Sequence, residues 1–305
     1  MTSLDIKDSD IPDLTGKVVV VTGAASGIGL AAATIFASHN ATVHALDITP
    51  PHDSDPLSPP NVKHTICDTT SWSSLVATFK RIGHIDIAVA NAGVSQGFDL
   101  TVDTFSQSGE LLEPNYHVID VNFRSVVNFI KLALSAFREY GRGGRIVITS
   151  SATAYSPEHS LPVYSATKLG LIGLVRALRS TIPHSHGATI NAVAPAATVS
   201  RLLPKDLAKP IMEAGAPVST AHHAGLAIAY SATAKQTHQV EGYGKDTEEM
   251  ISGTGSWNGR VILTLGDTYT EVEEPIASLR AKWMGQYPTE MTGLQQKLTD
   301  TRGIA

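Results

Sequence analysis

Three residues in the middle of the chain carry side chains that can move a proton: Ser151, Tyr164 and Lys168. Tyr164 and Lys168 are four positions apart in a segment of helical pattern, so their side chains share one face of a helix. A phenol has a pKa of about 10, which is too high for a base near neutral pH. An ammonium about 4 Å away lowers that pKa by about three units at an effective dielectric constant of about 20. The pair therefore predicts a tyrosine acid/base that exchanges a proton with an alcohol or carbonyl oxygen, to which Ser151 also donates.

A glycine-rich turn follows the first apolar run of the chain, residues 17–22, and leads directly into a segment of helical pattern. A strand, a glycine turn and a helix in this order place free backbone N–H groups and the positive end of the helix beside a phosphate. Gly23 permits the sharp turn, Gly27 lets a pyrophosphate approach the backbone, and Gly29 allows tight packing of the helix on the sheet. A purely structural turn is the alternative, but the strand–helix context favours a dinucleotide site. Its candidate contacts are Gly23, Ser26, Gly27, Ile28 and Gly29.

Asp47 ends the second apolar run, residues 42–47. A carboxylate at the end of this strand accepts hydrogen bonds from both hydroxyls of the adenosine ribose and repels a 2′-phosphate. The alternative is a solvated turn residue. The position favours the first interpretation and predicts NAD rather than NADP as the cofactor.

Short β-branched runs alternate with longer segments of helical period, which is typical of a parallel sheet covered by helices on both faces. Strands are predicted at residues 17–22, 42–47, 63–68, 85–91, 145–150, 189–194 and 260–265. Helices are predicted at residues 27–39, 71–82, 115–140 and 162–182. We therefore expect an α/β protein of one domain, with a doubly wound, seven-stranded parallel sheet of Rossmann type.

Three segments break this alternation. Residues 48–62 contain five prolines, so a loop is expected in place of a crossover helix. Residues 196–258 are only weakly periodic and are expected to form a mobile lid insertion within a core of about residues 14–266. Residues 267–305 carry two amphipathic stretches and are expected to form a helical C-terminal extension.

The motifs together resemble the short-chain dehydrogenase/reductase family, and in particular NAD-dependent members of microbial or fungal secondary metabolism. The TGxxxGxG spacing of the turn, the sequence Asn91-Ala92-Gly93 and the order of Ser151 before a YxxxK motif all match the family pattern. The resemblance covers roughly residues 14–266. It implies catalytic roles for Ser151, Tyr164 and Lys168, with Lys168 also holding the nicotinamide ribose. It adds Asn122 as a fourth catalytic residue that anchors a water for proton relay.

The resemblance also implies further contacts to NAD. Asp68 is expected to hold the adenine amine, while Asn91 and Gly93 pack near the cofactor and steady the sheet. Pro195 belongs to a motif that resembles NxxxPG, and Ser200 stands where the family commonly has a threonine bound to the nicotinamide carboxamide.

Two local features refine what the resemblance implies. NADP-dependent members tend to carry Arg or Lys near the end of the second strand or inside the glycine turn, whereas this chain has Ile48 and Ser26 there. This again favours NAD. Ala196 stands where the family prefers glycine, so its methyl group narrows the approach of the backbone to the nicotinamide ring or the substrate.

The expected activity is that of an alcohol dehydrogenase or ketone reductase acting on a small, hydrophobic secondary alcohol or ketone. A polyketide, a terpenoid or a steroid-like ring fits the apolar composition. Two alternatives stay open: a non-catalytic NAD-binding sensor, and a non-redox cyclase or isomerase that uses the same tyrosine acid, for which Ala196 is the only support. A metal is not expected, because the histidines at 184, 186, 222 and 223 lack a carboxylate partner at ligand spacing.

A homodimer or homotetramer is expected from the resemblance, because in relatives the two long helices form a four-helix bundle across a two-fold axis. Here these helices carry apolar residues beyond one face. They are Val121, Val126, Val127, Ile130, Leu134, Phe137, Leu169, Ile172, Leu174, Val175 and Leu178. The alternative is that the C-terminal extension covers this surface through Leu279, Trp283 and Met284.

Composition excludes several other classes of function. A net charge of −5 gives no basic surface for nucleic acid. Hydrophobic residues make up 42% of the chain, which is too apolar for disorder, yet no apolar run is long enough to span a membrane. A single cysteine and an N-terminus without the pattern of a secretory signal predict a cytoplasmic protein.

Overall fold

A mixed β-sheet lies at the centre of the computed structural model, which describes residues 2–52, 59–141 and 143–302. The described strands are β1 (Ser3–Leu4), β2 (Val18–Thr22), β3 (Thr42–Asp47), β4 (Val62–Ile66), β5 (Ile87–Ala90), β6 (Arg145–Thr149), β7 (Thr189–Pro195), β8 (Lys235–Gln236), β9 (Gly255–Ser256), β10 (Val261–Leu265) and β11 (Thr268–Glu271). The sheet has the strand order β1-β11-β10-β7-β6-β5-β2-β3-β4, and β8 and β9 pair separately.

The parallel part of the sheet confirms the predicted Rossmann-type fold, because the seven strands from β10 to β4 in this order pair in parallel. The prediction of a purely parallel sheet is wrong at one edge, where β11 pairs antiparallel with β10 and β1 with β11. The physical reason is a tight hairpin. Leu265 pairs with Thr268 across Gly266, whose φ of 61° suits a two-residue turn.

Helices cover both faces of the sheet. The described helices are α1 (Gly27–Ser38), α2 (Trp72–Ile82), α3 (His117–Ile119), α4 (Ser125–Tyr140), α5 (Pro162–Leu178), α6 (Ile182–His186), α7 (Lys205–Glu213), α8 (Ala221–Thr233), α9 (Glu248–Ile251), α10 (Glu273–Ser278), α11 (Arg280–Met284) and α12 (Gln286–Thr299). Neighbouring strand residues point to opposite faces. Val21 packs in one core with α1 and α8, and Val20 packs in the other with α2, α4 and α5.

The helix α8 belongs to the core, which corrects the expectation of a mobile lid over residues 196–258. It packs on α1, and a Cβ at Gly225 would lie only 2.8 Å from the backbone nitrogen of Ala32. Such close packing requires a small residue at the contact with α1, and the residues that follow around the helix, Leu226, Ala227 and Ile228, are also buried. The helix therefore has no polar face, which is why its helical period is weak in the sequence. The part of the segment that precedes α8, and that includes α7, is still predicted to form a lid.

The proline-rich loop agrees with its prediction where the structure describes it, whereas the C-terminal extension, which is predicted to be helical, begins with a strand. The middle of the proline-rich loop, residues 53–58, lies outside the described residues, and its described ends at 48–52 and 59–61 form no helix. The C-terminal extension begins with β11 and continues as α10, α11 and α12. None of the described helices is both long enough and apolar enough to cross a membrane.

Most of the apolar residues that the sequence assigned to a subunit interface are buried inside the chain instead. The buried ones are Val121, Val126, Ile130, Phe137, Ile172 and Val175. All of them except Val121 belong to the core between the sheet and α2, α4 and α5. Val127 and Leu169 stay 39% and 51% exposed. Leu279 and Trp283, which the alternative assigns to covering these helices, are themselves 52% and 62% exposed.

Candidate active site

A cavity of about 1000 Å³ lies at the carboxyl ends of β2, β3, β5, β6 and β7. Ligands of open α/β sheets bind at this edge, where the turns after the parallel strands meet. The predicted site residues that line it are Gly23, Ser26, Gly27, Ile28, Asp47, Asp68, Asn91, Gly93, Ser151, Tyr164, Lys168, Pro195 and Ser200. The two other predicted residues, Gly29 and Asn122, are buried rather than part of the cavity wall.

The glycine turn between β2 and α1 has no room for side chains. A Cβ at Gly29 would collide with the carbonyl oxygen of Gly23, and a Cβ at Gly27 would lie 3.1 Å from the Cβ of Ser200. Gly23 and Gly27 have positive φ angles of 65° and 53°, which glycine adopts without strain. The first N–H groups of a helix have no partner inside the helix. A cradle that a Cβ would fill, closed by these N–H groups, fits the pyrophosphate of a dinucleotide.

Asp47 is the last residue of β3 and lies beside the glycine turn. Its Oδ2 accepts a 3.0 Å hydrogen bond from the backbone nitrogen of Ala25, and its Oδ1 accepts one of 3.2 Å from Thr49. The carboxylate is thereby fixed next to the turn. This is where a dinucleotide bound to the turn places its adenosine ribose.

Asp68 lies on the cavity wall two residues after β4, not at the last strand position as predicted. The strand ends at Ile66 because the chain turns here, and Oδ1 of Asp68 accepts hydrogen bonds from the backbone nitrogen and Oγ1 of Thr70, at 2.8 and 2.7 Å. These two bonds hold the pKa of the Asp68 carboxyl below its usual range. Asp68 is therefore a carboxylate at neutral pH, able to accept a hydrogen bond from an amine.

Asn91 connects the ends of three neighbouring strands. Its Nδ2 donates to the carbonyl oxygens of Thr22 and Gly23 at 3.1 and 3.2 Å, and its Oδ1 accepts a 3.0 Å bond from Thr149. These contacts hold β2, β5 and β6 together directly under the cavity. The side chain therefore positions the glycine turn relative to the strand that leads to Ser151.

Lys168 projects from α5 toward the end of β6. Its Nζ donates a 3.0 Å hydrogen bond to the carbonyl oxygen of Thr149 and lies 5.6 Å from the centre of the Tyr164 ring. Burial lowers the pKa of Lys168 to about 8. The amine is thus held beside the phenol and can change its charge near neutral pH.

The two adjacent serines after β6 have different surroundings. Ser150 is buried and its Oγ donates a 2.8 Å hydrogen bond to the carbonyl oxygen of Lys168, which anchors α5 to the strand end. Ser151 lines the cavity, where its Oγ accepts from the backbone nitrogen of Thr153 at 3.2 Å and lies 3.5 Å from the carbonyl oxygen of Pro195. Both serines line the cavity, but the hydroxyl of Ser150 donates to the backbone of Lys168, so the hydroxyl of Ser151 is the candidate for contact with a ligand.

Tyr164 is buried at the cavity wall, and its pKa differs in direction from the sequence prediction. Burial raises the pKa of Tyr164 because a phenolate loses hydration there, and a hydrogen bond with Ser151 opposes this only in part. The lowering by Lys168 that the sequence predicts is not among the effects that set the direction of this shift, although Nζ of Lys168 lies 5.6 Å from the centre of the ring. In the chain alone, Tyr164 is therefore a protonated acid at neutral pH.

The geometry of the turn and of the Ser151, Tyr164 and Lys168 cluster agrees with one family of proteins. A family model described as short chain dehydrogenase matches residues 17–210. The chain belongs to the short-chain dehydrogenase/reductase family. It is thus an oxidoreductase of a family that uses a nicotinamide cofactor and acts on small molecules.

Relatives of known name support this membership. The chain is 55% identical over 302 residues to the short-chain dehydrogenase/reductase prx4 of Penicillium rubens, with 99% of this chain and 90% of prx4 covered. It is 46% identical over 314 residues to the short-chain dehydrogenase/reductase ATR7 of Stachybotrys chlorohalonatus, with 100% and 97% covered. Its fold is similar to that of a 3-ketoacyl-(acyl-carrier-protein) reductase from Brucella melitensis complexed with NADH, with a TM-score of 0.62, 21% identity and 83% and 98% of the chains covered.

Asn122 of this short-chain dehydrogenase/reductase lies in a π-helical turn, Asp120–Arg124, between α3 and α4. Such wider turns insert one residue into a helix and redirect a side chain, often at functional sites. The side chain of Asn122 is fully buried and pairs twice with the backbone of Val94: Oδ1 accepts at 2.8 Å and Nδ2 donates at 2.9 Å. Asn122 therefore fixes the position of the loop after Gly93. This structural role is additional to the role predicted from the sequence, in which Asn122 anchors a water for proton relay, and that role stays a prediction.

Gln96 is a residue of the site that the sequence did not reveal. Its buried Oε1 accepts hydrogen bonds from the backbone nitrogens of Val163 and Tyr164 at 2.9 and 3.1 Å, and its Nε2 donates to Phe98 at 2.8 Å. α5 begins at Pro162 without a side-chain cap of its own. Gln96 supplies that cap from the loop after Gly93, and no local pattern indicates a contact between residues so far apart in sequence.

Part of the cavity wall is apolar. It includes Val94, Leu161, Leu202, Leu203 and Leu207, the last three in or before α7. Ala196 also lines the cavity, and its backbone nitrogen donates to the carbonyl oxygen of Thr264 at 2.9 Å. Ala196, the residue that departs from the family pattern, is therefore held at the edge of the sheet by its backbone and forms part of the cavity wall.

The histidines considered as metal ligands have other contacts. His223 stacks on Tyr269 with ring centres 3.8 Å apart, and His222 lies 3.4 Å from Oδ2 of Asp8. Within residues 2–52, 59–141 and 143–302, no group of three or more His, Cys, Asp or Glu side chains is arranged to hold a metal ion.

Proposed function

We propose that the protein is an NAD(H)-dependent oxidoreductase that interconverts a hydrophobic secondary alcohol and its ketone, with Tyr164 as the acid/base. The observation that carries this proposal is that one cavity contains both the glycine turn with Asp47 and the cluster of Ser151, Tyr164 and Lys168. A dinucleotide site and a proton-transfer site that share a cavity are what hydride transfer coupled to proton transfer requires.

The side chains divide the chemistry at the substrate oxygen. Oη of Tyr164 gives its proton to the carbonyl oxygen in the reduction and takes a proton from the hydroxyl in the oxidation. Ser151 donates a hydrogen bond to the same oxygen and fixes its position. Burial around Tyr164 excludes water, which strengthens these interactions. A bound nicotinamide dinucleotide supplies or accepts the hydride.

Lys168 serves this reaction in two ways. Its protonated amine lies beside the phenol and favours the phenolate that forms when Tyr164 gives up its proton. In this proposal the same amine also holds the nicotinamide ribose. Because burial brings its pKa to about 8, the charge that both roles need depends on pH.

The preference for NAD rests on the fixed carboxylate of Asp47. The N–H of Ala25 holds this carboxylate beside the glycine turn, where it accepts from ribose hydroxyls and repels a 2′-phosphate. The similar reductase from Brucella melitensis binds NADH, which is consistent with this choice. Asp68, Asn91, Gly93, Pro195 and Ser200 complete the proposed cofactor contacts.

The apolar wall formed by Leu161, Leu202, Leu203 and Leu207 supports a bulky apolar substrate. We propose a polyketide, a terpenoid or a steroid-like ring as its class. We also propose that the protein is a homodimer or homotetramer with a cytoplasmic location.

The test is absorbance at 340 nm with purified protein, NAD or NADH, and a panel of cyclic and linear secondary alcohols and ketones. We expect cofactor-dependent turnover with apolar members of the panel. Binding of NADH without turnover of any member would instead identify a sensor. Conversion of a substrate without a change at 340 nm would identify a cyclase or isomerase.

A further inference from the structure

Glu273, from the C-terminal extension, lies buried between the two segments that carry the catalytic side chains. It is only 1% exposed. Its Oε1 accepts a 2.8 Å hydrogen bond from the hydroxyl of Tyr155, and its two oxygens accept two more of 2.8 Å from Arg176. Nη1 of Arg179 adds a bond of 3.4 Å. A buried carboxylate is costly unless it is paired, so these partners hold each other in one arrangement.

The Tyr155 side of this contact leads directly to Ser151. A single 3₁₀ turn, Ala152–Ala154, directly follows Ser151 and directly precedes Tyr155. The backbone nitrogen of Tyr155 donates to Ala152, and that of Ala154 donates to Ser151. Burial and the charge of Glu273 raise the pKa of Tyr155, so its hydroxyl stays a donor. The turn with Ser151 is therefore fixed at one end by β6 and at the other by Glu273.

The arginine side of the contact leads to Tyr164. Arg176 lies on α5, the helix that carries Tyr164 and Lys168, and its bidentate pair with Glu273 raises the pKa of its guanidinium. Arg179 follows α5 directly and is also buried. Glu273 thus joins the turn of Ser151 to the helix of Tyr164 from outside the cavity. It also lies beyond residues 17–210, the part that matches the family model.

We infer that Glu273 is a positioning residue that acts through Tyr155 to fix Ser151 relative to Tyr164. The C-terminal extension therefore has a role in catalysis without entering the cavity. This inference rests on the proposed function, because it assigns a task to the hydroxyl of Ser151. A displacement of a catalytic group by about 1 Å costs up to about 10²-fold in rate, so loss of one of several restraints is expected to cost about tenfold.

The test is a double-mutant cycle of Tyr155→Phe and Ser151→Ala, measured as kcat by steady-state kinetics with saturating substrate and cofactor. Tyr155→Phe removes only the hydroxyl that reaches Glu273. We expect it to lower kcat about tenfold in the wild-type background and less than twofold in the Ser151→Ala background. Residues that act through one another are non-additive in this way, whereas a general loss of stability lowers kcat by the same factor in both backgrounds.

Tyr269→Phe is the matched control. Tyr269 is also a buried phenol that donates one hydrogen bond, at 3.1 Å to the carbonyl oxygen of His223, but it lies on β11 and does not reach the turn of Ser151. We expect its kcat to equal that of the wild type, and the Tm of both phenylalanine variants to fall by a similar amount.

The other possible results contradict either this inference or the proposed function. An unchanged kcat in Tyr155→Phe, or equal losses in both backgrounds, overturns the inference. If Ser151→Ala itself has wild-type kcat, the proposed function is wrong in its use of Ser151, and the inference falls with it. The kcat of the single variant Ser151→Ala therefore distinguishes failure of the inference from failure of the proposed function.

Discussion

Nζ of Lys168 donates a 3.0 Å hydrogen bond to the carbonyl oxygen of Thr149, the last residue of β6. Ser151 follows two positions later on the same strand end, and Ser150 bonds back to the carbonyl oxygen of Lys168 at 2.8 Å. The lysine and the serine of the proposed catalytic cluster are thus aligned by one strand, not by separate loops. The same anchoring buries the amine, which brings its pKa to about 8.

The affinity for NADH should therefore depend on pH through Lys168. A lysine with a pKa of about 8 is protonated below that pH and loses its charge as the pH rises through it. We expect the Kd for NADH, measured by fluorescence, to rise several-fold between pH 7 and pH 9.5 because the cation that faces the ribose is lost. Lys168→Ala should bind NADH more weakly and without this pH dependence, and should also lower kcat. A wild-type Kd that stays constant over this range would contradict the role of Lys168.

Tyr164→Phe should abolish turnover and leave NADH binding nearly unchanged, because only the transferable proton is removed. We expect kcat to fall by roughly 10²–10⁴. Since burial raises the pKa of Tyr164, the wild-type enzyme should reduce ketones at neutral pH and oxidise alcohols faster as the pH rises, because oxidation needs the phenolate. Tyr269→Phe serves as the control with unchanged rates. Near wild-type kcat in Tyr164→Phe would refute the assignment.

Asp47 should make NAD the preferred cofactor. We expect kcat/KM for NAD to exceed that for NADP by at least about tenfold, or about 1.4 kcal/mol, because a fixed carboxylate faces a dianionic phosphate. Asp47→Ala should reduce the ratio mainly by improving the use of NADP. Asp68→Ala is the control, since it removes a carboxylate assigned to the adenine and should leave the ratio unchanged. Equal efficiency of the two cofactors in the wild type would reject this reading of Asp47.

The features that the sequence predicts are those whose residues are close together along the chain. The glycine turn, Asp47 at its strand end, and the pair Tyr164 and Lys168 on one helix each depend on local geometry, and all of them line the cavity. The parallel order of the sheet follows from the alternation of strands and helices in the same way. The hairpin at Gly266 also had a local signal, a glycine followed by aspartate between two β-branched runs.

The features that the sequence does not predict depend on contacts between distant segments. Gln96 caps a helix that begins at Pro162, and Glu273 accepts from Tyr155, neither of which has a motif. α8 lacks helical periodicity because Gly225 and its neighbours are buried on all sides. The pKa of Tyr164 likewise depends on burial, which outweighs the hydrogen bond with Ser151 and cannot be inferred from the spacing of residues in the sequence.

Gln96 should be required for the alignment of α5. Gln96→Ala leaves the first N–H groups of the helix without a partner, so we expect a loss of about 1–2 kcal/mol in the free energy of unfolding and a lower kcat. Gln96→Glu keeps an oxygen that accepts from Val163 and Tyr164 and is favoured at a helix N-terminus, but it loses the donor to the carbonyl oxygen of Phe98, so we expect it to regain only part of the lost stability. Thermal unfolding and steady-state kinetics of both variants are the measurements. If Gln96→Glu is as unstable as Gln96→Ala, hydrogen-bond acceptance by residue 96 is not what stabilises α5.

Self-association should depend on the exposed apolar residues that remain on α4 and α5. Only part of the predicted interface survives in the structure: Val127 and Leu169 are 39% and 51% exposed, while most of its other residues are core. We expect the wild-type chain to form a dimer or tetramer, and the double variant Val127→Glu, Leu169→Glu to be a monomer, because a buried unpaired carboxylate opposes association. Size-exclusion chromatography with light scattering measures the oligomeric state of both chains.

The control is the double variant Leu279→Glu, Trp283→Glu on the C-terminal extension, which should leave at least two copies associated. A chain that ends at Ser278 lacks α11 and α12 but keeps Glu273 and β11. Its oligomeric state therefore tests the role of the C-terminal helices in association without the loss of a strand of the sheet. A monomeric wild type, or an α4 and α5 double variant that still associates like the wild type, would eliminate the helix bundle.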